Sequence, residues 1–269
     1  MLPAQLEFKT EILFSLRFML PRSKEKEWSD FPGMTREFFA YFKLPNTVLL
    51  TRNLIYAFLK SSLDPQGNNS ILDVGCGGGD LLEYLAIRLE KDGFQSSLTG
   101  IDADAAAVSL AKARTEAFGN VRVICGRAEK LEGFYDMAVM SLFLHHHSPR
   151  DASNMLRFLC GRVSRKIVIS DFVRSRTTYW LVKAFVYLTT VNKIHRHDGP
   201  LSVLRSYTDK EIRWLMREAG ICSFTIRDIF LRKFVVIRRA DAAAPTVRPA
   251  VPRRDSSLTS SPIGAISVG

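Results

Sequence analysis

Apolar and polar positions along the centre of this chain alternate between two periods. Ser70–Val74 (SILDV) is a short buried-strand run, and Asp80 to Leu89 follows with Leu81, Leu82, Leu85 and Leu89 at helical spacing. Leu98–Asp102 predicts a second strand, Ala105–Phe118 an alanine-rich helix, Val121–Cys125 a third strand and Tyr135–Leu142 a fourth. A helix over Ala152–Leu159 precedes a fifth strand at Lys166–Asp171. Thr208 caps a helix that runs to Ala219 and is stopped by Gly220; Cys222–Phe230 and Arg232–Arg238 then read as two strands joined by a tight turn. Repeated βα units predict an α/β fold with a doubly wound, mostly parallel seven-stranded sheet, the last hairpin adding an antiparallel edge.

Two ends frame this core. Residues 1–66 hold helical patches separated by Pro21, Pro32 and Pro45, and predict an N-terminal helical cap over the domain at 67–240. From residue 241 to 269 the composition shifts to Ala, Pro, Arg and Ser without apolar periodicity, which predicts a disordered tail. Residues 177–191 (TTYWLVKAFVYLTTV) are apolar around nearly the whole helix, with Lys183 the only charge. Fifteen residues span about 22 Å, short of a bilayer of about 30 Å. Two readings stay open: a helix buried on the sheet or under the cap, or a lid whose basic flanks meet an anionic membrane surface.

Charge and cysteine narrow the setting. The chain of 269 residues carries 38 Lys and Arg against 27 Asp and Glu, a net charge of +11. Residues 161–240 hold 17 basic and 6 acidic side chains, so the excess sits in the C-terminal third of the folded part and predicts a basic face. Cys76, Cys125, Cys160 and Cys222 form no CxxC pair, which disfavours a disulfide framework or zinc knuckle. With charges interrupting the first 20 residues, no signal peptide is read, and a cytoplasmic protein, with peripheral membrane contact at most, is expected.

The chemistry gathers after the first, second and fourth strands. Asp73-Val-Gly75-Cys-Gly77-Gly-Gly79-Asp80 supplies glycines where backbone must take positive φ and approach a ligand. It lacks the third glycine of a dinucleotide loop and the GK[ST] ending of a phosphate loop. Asp73, two residues before the first glycine, suits a ligand bearing an ammonium group. Asp102 ends the second strand, where a carboxylate can accept two ribose hydroxyls; Asp104 reads as a helix cap.

ILDVGCGGGD (71–80), GIDAD (100–104), CGRAEKL (125–131) and FYDMAVMSLFLHHH (134–147) together resemble the class I S-adenosylmethionine-dependent methyltransferases, over roughly residues 70–240. SLFLHH (141–146) with RHDGPLSVLRSY (196–207) is similar, more narrowly, to methyltransferases encoded beside type III polyketide synthases and to the quinone-biosynthesis enzymes. The resemblance implies that S-adenosyl-L-methionine is the cofactor. Gly75 and Gly77, with Asp73 behind, would hold its methionine end and Asp102 its ribose; Ala128 would line the adenine pocket and Leu142 the reactive methyl. Arg127 stands where the family often has an acidic residue.

Leu142-Phe-Leu-His145-His146-His147 occupies the place where base N-methyltransferases commonly carry Asn/Asp-Pro-Pro-aromatic. Apolar residues followed by imidazoles suit a flat, hydrophobic, weakly acidic acceptor such as a phenol or quinol, with transfer to oxygen favoured over carbon. His146 is the first candidate for general base, since a pKa near 6.5 suits a phenol proton, with His145, His195 and His197 as rivals and Asp198 as orienting group. Asp171 at its strand end reads as a base's neighbour or a cap. Adjacent positions on a strand end cannot all point one way, so the histidine run predicts no metal site. An RNA methyltransferase and a non-catalytic cofactor-binding scaffold are the alternatives, although nucleic acid is not an expected partner.

Overall fold

A computed structural model describes residues 20–31 and 34–238. The expected tail at 241–269 and the first part of the expected cap lie outside them. Seven strands form one sheet: β1 (Asn69–Val74), β2 (Ser96–Asp102), β3 (Val121–Cys125), β4 (Tyr135–Ser141), β5 (Val163–Phe172), β6 (Phe224–Ile229) and β7 (Arg232–Arg238). Their order is β3-β2-β1-β4-β5-β7-β6, with β7 alone antiparallel to its neighbours β5 and β6. Chain order reverses between β1 and β4, and ligands of such sheets bind at the carboxyl ends of the strands flanking that switch. The doubly wound sheet is therefore as the βα alternation predicts.

Nine helices accompany the sheet among the described residues: α1 (Arg36–Tyr41), α2 (Lys43–Val48), α3 (Thr51–Lys60), α4 (Asp80–Lys91), α5 (Ala105–Thr115), α6 (Pro149–Arg162), α7 (Arg176–Thr189), α8 (Lys193–Arg205) and α9 (Asp209–Glu218). Their starts follow local chemistry. Asp104 Oδ1 accepts from the backbone N–H groups of Ala106 and Ala107, Ser148 Oγ from Asp151, and Thr208 Oγ1 from Glu211, each satisfying a donor with no partner inside its helix. Leu81, Leu82, Leu85 and Leu89 turn inward and pack with Ile71, Leu98 and Met137 under one sheet face, while Leu156, Leu159, Leu215 and Ile237 fill the other.

Three short 3-10 turns position the site: Trp28–Asp30, Ala128–Lys130 and Leu144–His146. Of the two readings left open for α7, full burial on the sheet or under the cap does not hold. Only Thr178, Val182 and Val186 of it are buried, and Gly199 of α8 lets the two helices meet closely, since a Cβ there would lie 2.9 Å from Val186. Trp180, Leu181, Tyr187, Leu188 and Val191 face outward, so the apolar surplus is a surface stripe.

Candidate active site

The glycine loop bridges β1 and α4 with Gly75, Gly77 and Gly79 at φ of +70°, +50° and +75°. The backbone N–H groups of Gly75 and Cys76 both donate to Ile101 O, folding the loop over β2. A Cβ on Gly75 would stand 2.1 Å from the Phe143 ring, and one on Gly79 2.9 Å from Ala111 Cα. Gly77 is different: its added Cβ meets only Phe39, at 4.0 Å, on the open side of the loop. Arg114 Nη1 donates to Gly78 O at 2.6 Å and ties the loop to α5.

Asp102 organises this end. Its Oδ2 accepts from the Gly77 N–H at 2.8 Å and its Oδ1 from Asp104 at 2.9 Å, so both oxygens are held by backbone while the residue still lines the cavity. Burial pushes its carboxyl above the usual range, and the two backbone hydrogen bonds oppose that. Asp73 is buried, and its carboxyl is raised well above the usual range by burial and by the charges of Asp80 and Asp102. A ligand bringing an ammonium or sulfonium charge here would relieve that concentration of negative charge. The residues therefore fit the amino-acid end of S-adenosylmethionine.

One cavity of about 530 Å³ gathers Asp73, Gly75, Gly77, Asp102, Ala128 and Leu142, all six cofactor positions named from the sequence. Ala128 is buried in its 3-10 turn. Leu142 takes φ +52°, rare for a branched side chain, and its N–H donates to Ser170 O as the chain leaves β4. Arg127 is exposed and pairs with Glu129 at 3.4 Å. The N-terminal segment adds Phe31, Phe38, Phe39 and Phe42 to the lining, with Phe39 against the glycine loop. Asn46 of α2 donates to Asp80 Oδ2 and accepts from the fully buried Arg232, locking the cap to β7 and the loop.

The histidine run forms a turn rather than a strand end, and this separates the catalytic candidates. Arg22 donates to the carbonyls of His145 and His147, Arg205 to those of His145 and His146, and the Tyr207 hydroxyl to that of His147. His145 is buried outside the cavity lining, its Nδ1 2.8 Å from Asp171 Oδ1 and its Nε2 3.4 Å from Glu27 Oε1. Burial opposes its charged form, but Asp171 and Glu27 outweigh it and lift its pKa to about 10, which leaves no base at neutral pH. His197 lies outside the lining too, stacked on Trp28 at 4.1 Å with Nδ1 on Asp198. Asp198 chiefly accepts the Trp28 and Ser29 N–H groups. His195 packs among Phe38, Tyr41 and Phe42, where burial lowers its pKa to about 4.

His146 and His147 remain at the cavity. His146 directs Nδ1 to Asp30 Oδ1 at 2.6 Å and has Nε2 3.9 Å from Glu27 Oε2, so both nitrogens meet carboxylates. His147 Nδ1 lies 3.3 Å from Phe143 O, a partner that can only accept, which leaves Nε2 as the unprotonated nitrogen of a neutral ring. Burial keeps His147 below its ordinary pKa. Sequence reasoning passed over it, and also Glu27, Asp30, Arg22 and Arg205, which reach the turn from more than 50 residues away and carry no local signal.

Residues 71–164 match the methyltransferase domain family. A protein of Geobacillus sp. (strain WCH70) named "Putative methyltransferase GWCH70_2453" is 34% identical over 116 residues, covering 41% of this chain and 44% of its own length, so the match spans less than half of that relative. Among solved structures, the plantazolicin methyltransferase BamL, in complex with S-adenosylhomocysteine (SAH), superposes with a TM-score of 0.59 at 19% identity, over 76% of this chain and 91% of that one. Magnesium protoporphyrin IX methyltransferase of Synechocystis PCC 6803 with bound SAH gives 0.53 at 20% identity, over 75% and 88%. At such identities the likeness is one of fold.

Proposed function

We propose that this chain, whose residues 71–164 are a methyltransferase domain of the S-adenosylmethionine-dependent class, methylates the oxygen of a small, flat, hydrophobic acceptor such as a phenolic polyketide, lipid or quinol. The observation that carries the reading is the lining of one cavity, which brings Asp73, Asp102 and the glycine backbone together with four phenylalanines of the N-terminal segment and the imidazoles of His146 and His147. The cofactor supplies an electrophilic methyl group on a sulfonium. Asp73 would face its ammonium, Asp102 its ribose hydroxyls, and Ala128 its adenine. Phe39 and Phe42 would pack on the acceptor and exclude water, with Phe38 buried behind them against His195, leaving the hydroxyl at the histidine edge.

His147 is the proposed proton acceptor, displacing His146 from first place. Its Nδ1–H is spent on Phe143 O, so Nε2 would take the acceptor's hydroxyl proton while the oxygen gains the methyl group. His147→Ala should cut methyl transfer from labelled cofactor to phenolic acceptors by about 10²-fold or more while leaving SAH affinity within about twofold. Full activity in that variant would remove the base assignment. The outward stripe of α7 supports delivery of the acceptor from an anionic membrane surface, with Lys183, Lys193 and Arg196 beside it to meet lipid headgroups.

A further inference from the structure

Behind the cavity's histidine edge lies a cluster that the proposed methyl transfer does not use. His145 and His146 stand with ring centroids 4.3 Å apart, and each has Nδ1 engaged by a carboxylate, Asp171 at 2.8 Å and Asp30 at 2.6 Å. Both rings therefore turn Nε2 toward one residue, Glu27: 3.4 Å to Oε1 for His145 and 3.9 Å to Oε2 for His146. One donor atom from each of the three side chains lies within 4.8 Å of the other two. Glu27 Oε1 and His145 Nε2 are buried and face each other as an ion pair at 3.4 Å, without a well-formed hydrogen bond among the described residues.

Two features of metal chemistry meet here. A carboxylate on Nδ1 fixes the tautomer and orientation of an imidazole and leaves Nε2 to a metal ion, and this arrangement occurs twice in adjacent residues. Ligand atoms about 2.0–2.1 Å from zinc at a tetrahedral angle sit about 3.4 Å apart, the separation of His145 Nε2 from Glu27 Oε1. Glu27, Asp30 and Asp171 bring three carboxylates to the cluster; Arg205 pairs with Asp30 and lies 3.8 Å from Glu27 Oε1, Arg22 reaches the His145 carbonyl, and the buried Arg232 acts on Asp171 from β7. Metal binding would release the proton that Asp171 and Glu27 hold on His145, because a ligating imidazole must be deprotonated.

We propose that Glu27, His145 and His146 form a site for a divalent transition ion of the zinc class, bound by Nε2 of each imidazole and by the Glu27 carboxylate. Two nitrogens and one oxygen favour zinc, iron, cobalt or nickel over calcium or magnesium. Asp30 and His146 line the cavity, so the fourth position opens toward the acceptor end. The ion would also join the N-terminal segment to the turn after β4, since Glu27 belongs to the first and the histidines to the second. The sequence expectation of no metal site assumed strand geometry for the histidine run. The 3-10 turn removes that objection, and Glu27, 118 residues away in sequence, could not be anticipated.

The test is a Co²⁺ titration of the full chain, stripped with chelator and freed of any affinity tag, followed by Zn²⁺ displacement. One equivalent should develop the intense visible bands of low-symmetry Co²⁺ and be displaced by Zn²⁺. Glu27→Gln and His146→Ala should each weaken binding at least tenfold. Absence of saturable binding in the folded wild type, shown folded by circular dichroism, would overturn the proposal, as would equal binding in both variants. The site does not depend on the methyltransferase reading. An SAH titration of the same sample separates them, because loss of SAH binding with intact Co²⁺ binding would count against that reading alone.

Discussion

At the residue scale, the site depends on a few positions where one substitution has one physical consequence. Gly75 and Gly93 share positive φ, +70° and +80°, but a Cβ at Gly93 meets nothing within 4 Å whereas one at Gly75 strikes Phe143. Gly93→Ala should cost about 1–2 kcal/mol, the backbone strain alone. Gly75→Ala should cost more and displace Phe143 from the cavity, which urea unfolding and SAH titration would read together. His195 gives a pH signature with a definite sign. Its folded pKa of about 4 lies below the unfolded value near 6.5, so between these pH values the unfolded chain binds more protons. Stability from this group should fall as pH drops from 6.5 to 4, and His195→Leu should flatten that part of the profile in denaturant titrations. The lowered carboxyls of Glu27, Asp30 and Asp171 add their loss at lower pH, below the ordinary carboxylate range.

At the scale of elements, local signals carried far and distant ones not at all. The glycine loop, the Asp104 cap and the Thr208 cap are legible because the residues that make each structure are sequence neighbours. α7 was ambiguous because an apolar helix records how much surface it could bury and not where a partner lies. Lys166 shows the same limit: it opens the strand expected at Lys166–Asp171, and nothing beside it in the sequence announces that its buried Nζ donates at 2.7 Å to both Phe58 O and Ser61 Oγ at the end of α3. It caps that helix from the sheet, joining cap and domain. Lys166→Met should keep the strand and lose about 1–3 kcal/mol of stability, with α3 exchanging its amide hydrogens faster than β5.

At the scale of the molecule, the proposed cofactor residues lie in one continuous stretch, while the residues proposed to meet the acceptor come from distant parts of the chain. Residues 73–104 hold the loop and Asp102 together, so that half of the site was readable from motif and order. The other half joins Phe38 and Phe39 from the N-terminal segment to His146 and His147 after β4, and the turn that carries these histidines is held from behind by Glu27, Asp171 of β5 and Arg205 of α8, which only the fold brings within reach. The most direct test of the central claim is calorimetric titration of the purified chain with SAH, beside Asp102→Ala. The wild type should show saturable one-to-one binding and the variant a loss of about 10- to 100-fold, the effect of removing charge-assisted hydrogen bonds. A folded wild type that binds no SAH would contradict that claim.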